Sequence, residues 1–154
     1  MDEYDIIGPG DKAALLAIST PEVVAAAKTA LAEMGYKVHE VENHDQFDNR
    51  YHQFNYQVVV IEEGFAGSES SENYALRMIQ ELPMSQRRHA TFFLIGPNME
   101  TLNTMQAFTQ SVHCVINYSE LPMLSDLMQK TVAENDMFLS TFREVQRRVY
   151  QRSA

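Results

Sequence analysis

Apolar residues in this chain fall in short unbroken runs, separated by longer stretches of helical period. Residues 57–61 carry three adjacent valines and an isoleucine, and Glu62, Glu63 and Gly64 close the run. A β-branched run without alternation is a strand buried on both faces, as in the middle of a parallel sheet. Runs of strand length recur at residues 12–18 (KAALLAI), 91–95 (TFFLI) and 112–116 (VHCVI). Residues 36–42 (YKVHEVE) alternate apolar and polar instead, which places them nearer a sheet edge.

Helical signals lie between these runs. Ser19-Thr20-Pro21-Glu22 offers a hydroxyl cap, a proline at the first helical position and an acid in the first turn. Alanine-rich residues 21–34 continue that helix, and Gly35 ends it. Phe47, Tyr51 and Phe54 define one face of a second helix over 44–54. Residues 65–71 are a loop rich in glycine and serine, followed by a helix through Tyr74, Leu76, Ile79 and Leu82 that Pro83 ends. Gly96-Pro97-Asn98 predicts the start of another, with Met99, Leu102, Met105, Ala107 and Phe108 on its buried side. Ser119 or Glu120 caps a last helix, with Pro122 in its first turn. Five βα units predict an α/β, flavodoxin-like, doubly wound parallel sheet of strand order 2-1-3-4-5.

Apolar periodicity then continues past the expected end of that unit. Leu121, Leu124, Met128, Thr131, Asn135, Phe138, Phe142, Val145 and Val149 step by 3 or 4 throughout, a heptad-like seam with two polar interruptions. Either the fifth helix runs on to about residue 151, or Glu134-Asn135-Asp136 breaks it and caps another. The expected division is a tail or linker remnant at 1–10, a domain at 11–133 and a helical extension at 134–154. The stripe of Phe138, Phe142, Val145 and Val149 needs a cover: the domain's own surface, a second copy or another protein.

Charge narrows the partners. The net charge is −9, and residues 1–80 hold 14 acids against 5 bases. A general nucleic-acid binder needs positive surface to displace counterions, so that class is excluded. The exception is local: Arg143, Arg147, Arg148 and Arg152 face only Glu144 after residue 136. No apolar run approaches the roughly 20 residues of a membrane span, and the acidic first residues are no signal peptide. Cys114 is the only cysteine, which excludes disulfides and multi-cysteine metal sites. A cytoplasmic protein is the expectation.

Against that background the chain resembles a receiver domain of two-component response regulators over about residues 11–133. LLAIS matches the strand at whose end receivers carry an acidic pair. YQVVVIEEGFAG parallels the run ending in the phospho-acceptor aspartate. VHCVINYSELPML resembles the fifth strand, which ends in lysine-proline and leads into the final helix. The resemblance implies two acids and the acceptor holding Mg²⁺, with a hydroxyl and a lysine binding the phosphoryl group. Here the acidic pair falls on Ile18 and Ser19, the acceptor on Glu62, the hydroxyl on Gly96 and the lysine on Asn117. None matches, so the resemblance implies a pseudo-receiver, with neither Mg²⁺ nor phosphotransfer.

Glu62 admits two readings. It imitates a phosphorylated aspartate, or it is a solvated carboxylate at a strand end; Glu63 beside it must face the other way. His44 and His52 are eight apart, outside the i, i+4 ligand spacing. His113 reads as a packed core histidine and Cys114 as a buried, unactivated thiol. The backbone amides of Gly96-Pro97-Asn98 offer an anion site. The function expected is phosphorylation-independent, receiver-like signalling through protein contact or dimerisation by the last two helices, without catalysis or cofactor. The alternative is a domain binding a small ligand or nucleotide in the loops at the carboxyl ends of the strands.

Overall fold

The computed structural model describes residues 7–8, 10–69, 72–87 and 89–152. Most of the tail expected at 1–10 lies outside them. The strands are β1 (Ala13–Ala17), β2 (Lys37–Val41), β3 (Val58–Glu62), β4 (Thr91–Ile95) and β5 (Cys114–Ile116). They form one parallel sheet of order β2-β1-β3-β4-β5. Every residue of β1, β3 and β4 is buried, whereas β2 buries only His39 and Val41, as its alternation predicts for an edge.

The helices are α1 (Pro21–Glu33), α2 (His44–Gln53), α3 (Tyr74–Gln80), α4 (Met84–Arg87), α5 (Thr104–Gln110) and α6 (Leu124–Arg152). The pleat divides the core in two. Leu15, Val59, Ile61, Phe92 and Leu94 meet Phe47 of α2, Leu76 and Ile79 of α3 and Ala107 of α5. Leu16, Val58, Val60, Phe93 and Ile95 meet Val23, Ala27 and Leu31 of α1 and Leu124, Leu127 and Met128 of α6. Doubly wound packing follows: three helices on one face and two on the other, with the strands' carboxyl ends gathered at one edge.

Two expectations need correction here. No helix starts at Gly96-Pro97-Asn98; the chain turns through 97–102, and α5 begins at Thr104. Asn103 caps α5, its Oδ1 accepting from Gln106 N at 2.9 Å. Of the residues expected on the buried side, Met99 and Ala107 are buried, but Leu102, Met105 and Phe108 are 47%, 72% and 81% exposed. His113 is likewise no core residue. It precedes β5, exposed, with its ring stacked on Phe92 at 5.9 Å. Among the described residues no helix is long and apolar enough to cross a membrane.

Candidate functional site

At the carboxyl edge of the sheet β3 delivers Glu62 into the gap between the ends of β1 and β5. Its residue surface is 1% exposed, which corrects the solvated reading. Oε1 accepts from the backbone N–H of Ser19 at 2.8 Å and of Thr20 at 3.1 Å. Oε2 accepts from the Thr20 hydroxyl at 2.6 Å and from the Tyr118 hydroxyl at 2.6 Å. A carboxylate offers about four lone-pair positions, and these four donors use them all. Burial pushes the Glu62 carboxyl up, but the hydrogen bonds from Thr20, Tyr118 and Ser19 outweigh it and hold the pKa below 4.5. Burial, and Glu62 after it, push Tyr118 up to about 12. The hydroxyl therefore stays a donor at any physiological pH.

The Thr20 side chain thus serves Glu62 and makes no cap bond at the start of α1. Ser19 ties in a second loop: its Oγ accepts from Ala66 N at 2.8 Å. Ala66 holds φ 56°, a left-handed conformation that a non-glycine residue rarely adopts.

Glu63 turns the other way, as strand geometry requires. It is 4% exposed, and its Oε1 and Oε2 accept from Asn98 N at 3.2 Å and Asn98 Nδ2 at 2.8 Å. The anion site read from Gly96-Pro97-Asn98 is therefore filled by the chain's own carboxylate. Gly96 makes room for it, since a Cβ there would lie 2.2 Å from Glu63 Oε1.

The remaining predicted positions are structural in their bonding. Ile18 is 6% exposed within the α1–α6 core. Asn117 Nδ2 donates to Met99 O at 2.9 Å and Pro97 O at 3.2 Å, fastening the β4 loop beside β5. Ser19, Glu62 and Thr20 do come together, but Gly96 and Asn117 belong to the neighbouring Glu63 loop. Two further residues matter. Asn73, 2% exposed, donates through Nδ2 to Glu62 O at 3.0 Å and Glu63 O at 3.2 Å, while its Oδ1 caps α3 by accepting from Leu76 N at 3.1 Å. Its place directly before an apolar helical run was a visible capping signal. Tyr118 carried none, apart from standing one residue beyond the lysine position.

These residues do not fit the Mg²⁺ that the receiver resemblance implies. A hard cation needs oxygen ligands with free lone pairs; Ile18 supplies hydrocarbon, and Glu62 has already committed its own. Among the described residues no three His, Cys, Asp or Glu side chains group as metal ligands. A ligand in these loops likewise meets donors already turned to Glu62 and Glu63.

The other candidate surface is on α6, which runs unbroken through Glu134-Asn135-Asp136 to Arg152. Asn135 Nδ2 donates to Thr91 Oγ1 at 3.0 Å, at the base of the sheet. Beyond it Phe138, Phe142, Val145 and Val149 are 67%, 37%, 54% and 61% exposed.

No family model matches this chain, and none of the curated proteins is similar to it. Solved structures are similar in fold. A putative response regulator from Chloroflexus aurantiacus shares 10% identity at TM-score 0.62, over 80% of this chain and 98% of that one. An orphan response regulator of H. pylori shares 14% at TM-score 0.59, over 80% and 98%. A chain carrying the trimeric coiled coil of yeast Spc42 shares 10% at TM-score 0.59, over 96% and 97%. With its strand order, its two helical layers and these likenesses, the chain has the fold of a response-regulator receiver domain.

Proposed function

We propose that this protein is a receiver-like signalling module of the cytoplasm that accepts no phosphoryl group. It acts by protein–protein contact through the exposed half of α6, without catalysis. One observation carries the reading: the carboxylate at the acceptor position has all four lone-pair positions bonded within its own chain. To attack a phosphoryl donor, Glu62 would have to give up these bonds while still buried. It would find no lysine at Asn117 to take the product's charge.

The same cage favours the mimic over the inert form of that reading. A phosphorylated aspartate would gather donors from neighbouring loops; Glu62 gathers them from the ends of β1 and β5 and holds both in one arrangement. Incubation with acetyl phosphate and Mg²⁺, followed by intact-mass measurement, tests the proposal. Unchanged mass is expected, and a phosphoryl adduct on Glu62 or Glu63 refutes it.

A further inference from the structure

Helix α6 carries two apolar faces in line. Leu124, Leu127 and Thr131 are 1%, 9% and 8% exposed where they pack on the domain. Phe142, Val145 and Val149 each follow one of them by 18 residues, about five whole turns at 3.6 residues per turn. The exposed stripe therefore looks out from the same side of the helix as the domain. Phe138 completes it.

That geometry restricts how a second copy can lie there. Two copies paired in parallel through this face would bring both domains to one height, into the space between the helices. An antiparallel pair sets the domains at opposite ends and lets each extension run past the other.

Charge and side-chain size favour the same arrangement. Acids lie upstream on α6, at Asp126, Glu134 and Asp136, while Arg147, Arg148 and Arg152 lie at its far end. Antiparallel pairing brings the basic end of one helix toward the acidic stretch of the other; parallel pairing aligns like with like. It also faces Phe142 with Val145 and Phe138 with Val149, so that each layer joins one large and one small side chain. Parallel pairing would stack phenylalanine on phenylalanine and valine on valine.

We infer that the exposed half of α6 is an antiparallel self-association surface, and that its occupant is a second copy of this chain. The inference rests on the reading of that half-helix as the contact surface, and it names the partner and its direction.

Sedimentation velocity of the full chain over a wide concentration range should show a monomer–dimer equilibrium. Val145→Asp should abolish the dimer and leave the circular-dichroism melt of the dilute protein unchanged, because Val145 is 54% exposed. Direction is read by disulfide trapping, for which buried Cys114 is no competitor. In the antiparallel pair two copies of residue 149 stand about 16 Å apart along the axis, beyond the roughly 7 Å limit for a disulfide. Val149→Cys alone should therefore stay unlinked, while a mixture with Phe138→Cys should link. Linking of Val149→Cys alone, a trimer, or a monomer at every concentration overturns the inference. A monomer would leave the phosphoryl-free reading standing, whereas a phosphoryl adduct would remove that reading and leave the dimer.

Discussion

Tyr118 and Glu62 stand 56 residues apart in sequence, and the phenol donates to Glu62 Oε2 at 2.6 Å. This single bond ties the end of β5 to the end of β3 across the edge where receiver-like folds place their sites. Tyr118→Phe keeps the ring and removes the donor, leaving one lone pair of a buried carboxylate unmatched. Hydrogen bonds to charged groups contribute about 1.5–3 kcal/mol. Urea unfolding should therefore show a loss of that size with an unchanged slope. An unchanged midpoint would mean that the bond holds nothing together.

Acid should loosen the same cage. The folded-state pKa of Glu62 lies below 4.5 because its hydrogen bonds outweigh its burial. A carboxyl with a depressed folded pKa contributes stability that is fully present above its unfolded pKa and lost as pH falls through the folded one. Glu62→Gln cannot titrate, so its stability should be lower at pH 7 and should fall less steeply below pH 4.5. Parallel acid curves for the two proteins would remove Glu62 from the account of acid unfolding.

Much of the sheet was legible because each buried run has one physical solution. The three valines of β3 and the TFFLI of β4 leave no polar face for solvent, so both had to be central. The seam on α6 was legible as an apolar period of 3 and 4, but its continuity was not. Glu134-Asn135-Asp136 suits a helix interior or a break and new cap equally, and only the structure shows one helix over Leu124–Arg152. The turn at Gly96-Pro97-Asn98 misled because its helix-start chemistry was real but differently used. Asn98 spends its amide and side chain on Glu63, and the helix waits for Asn103. An Asn followed three residues later by Gln was the stronger cap signal. The Glu62 cage was illegible for another reason: its donors come from three separated segments, and no local period links Ser19 and Thr20 to Tyr118.

Gly96 should tolerate no side chain. A Cβ there would meet Glu63 Oε1 at 2.2 Å and Glu63 Cβ at 2.5 Å. Gly96→Ala must displace Glu63 from Asn98, combining overpacking with a buried carboxylate that loses its donors. A loss of roughly 2–4 kcal/mol is expected in chemical unfolding. Gly10→Ala serves as the control, since nothing lies within 4 Å of its added carbon. Adding Glu63→Gly to Gly96→Ala removes both clashing atoms, Oε1 and Cβ, and should recover part of the loss. A double variant no more stable than Gly96→Ala alone would place the cause elsewhere.

His113 should make the fold lose stability already in mild acid, before the carboxylates titrate. Its Nδ1 accepts from Phe92 N at 2.9 Å, and a proton on that nitrogen would break the bond. Although the residue is exposed, its ring is desolvated where it stacks on Phe92, and this, with Arg87 nearby, holds the imidazole down to about 4 from 6.5. As pH falls below 6.5 the unfolded chain takes up a proton that the folded chain refuses until about pH 4. Unfolding is therefore favoured progressively across that interval. Because one side of the ring meets solvent, the effect should be on the order of 1 kcal/mol rather than the full value of the shift. His44 acts in the same direction: burial lowers it, and its Nδ1 accepts from Ala75 N at 3.2 Å. The test is therefore the difference between two curves. His113→Asn keeps an acceptor near the Nδ1 position and cannot titrate, so its melting temperature should fall less than that of the parent between pH 7 and pH 4.5. If both fall equally, His113 is not the group that senses the proton.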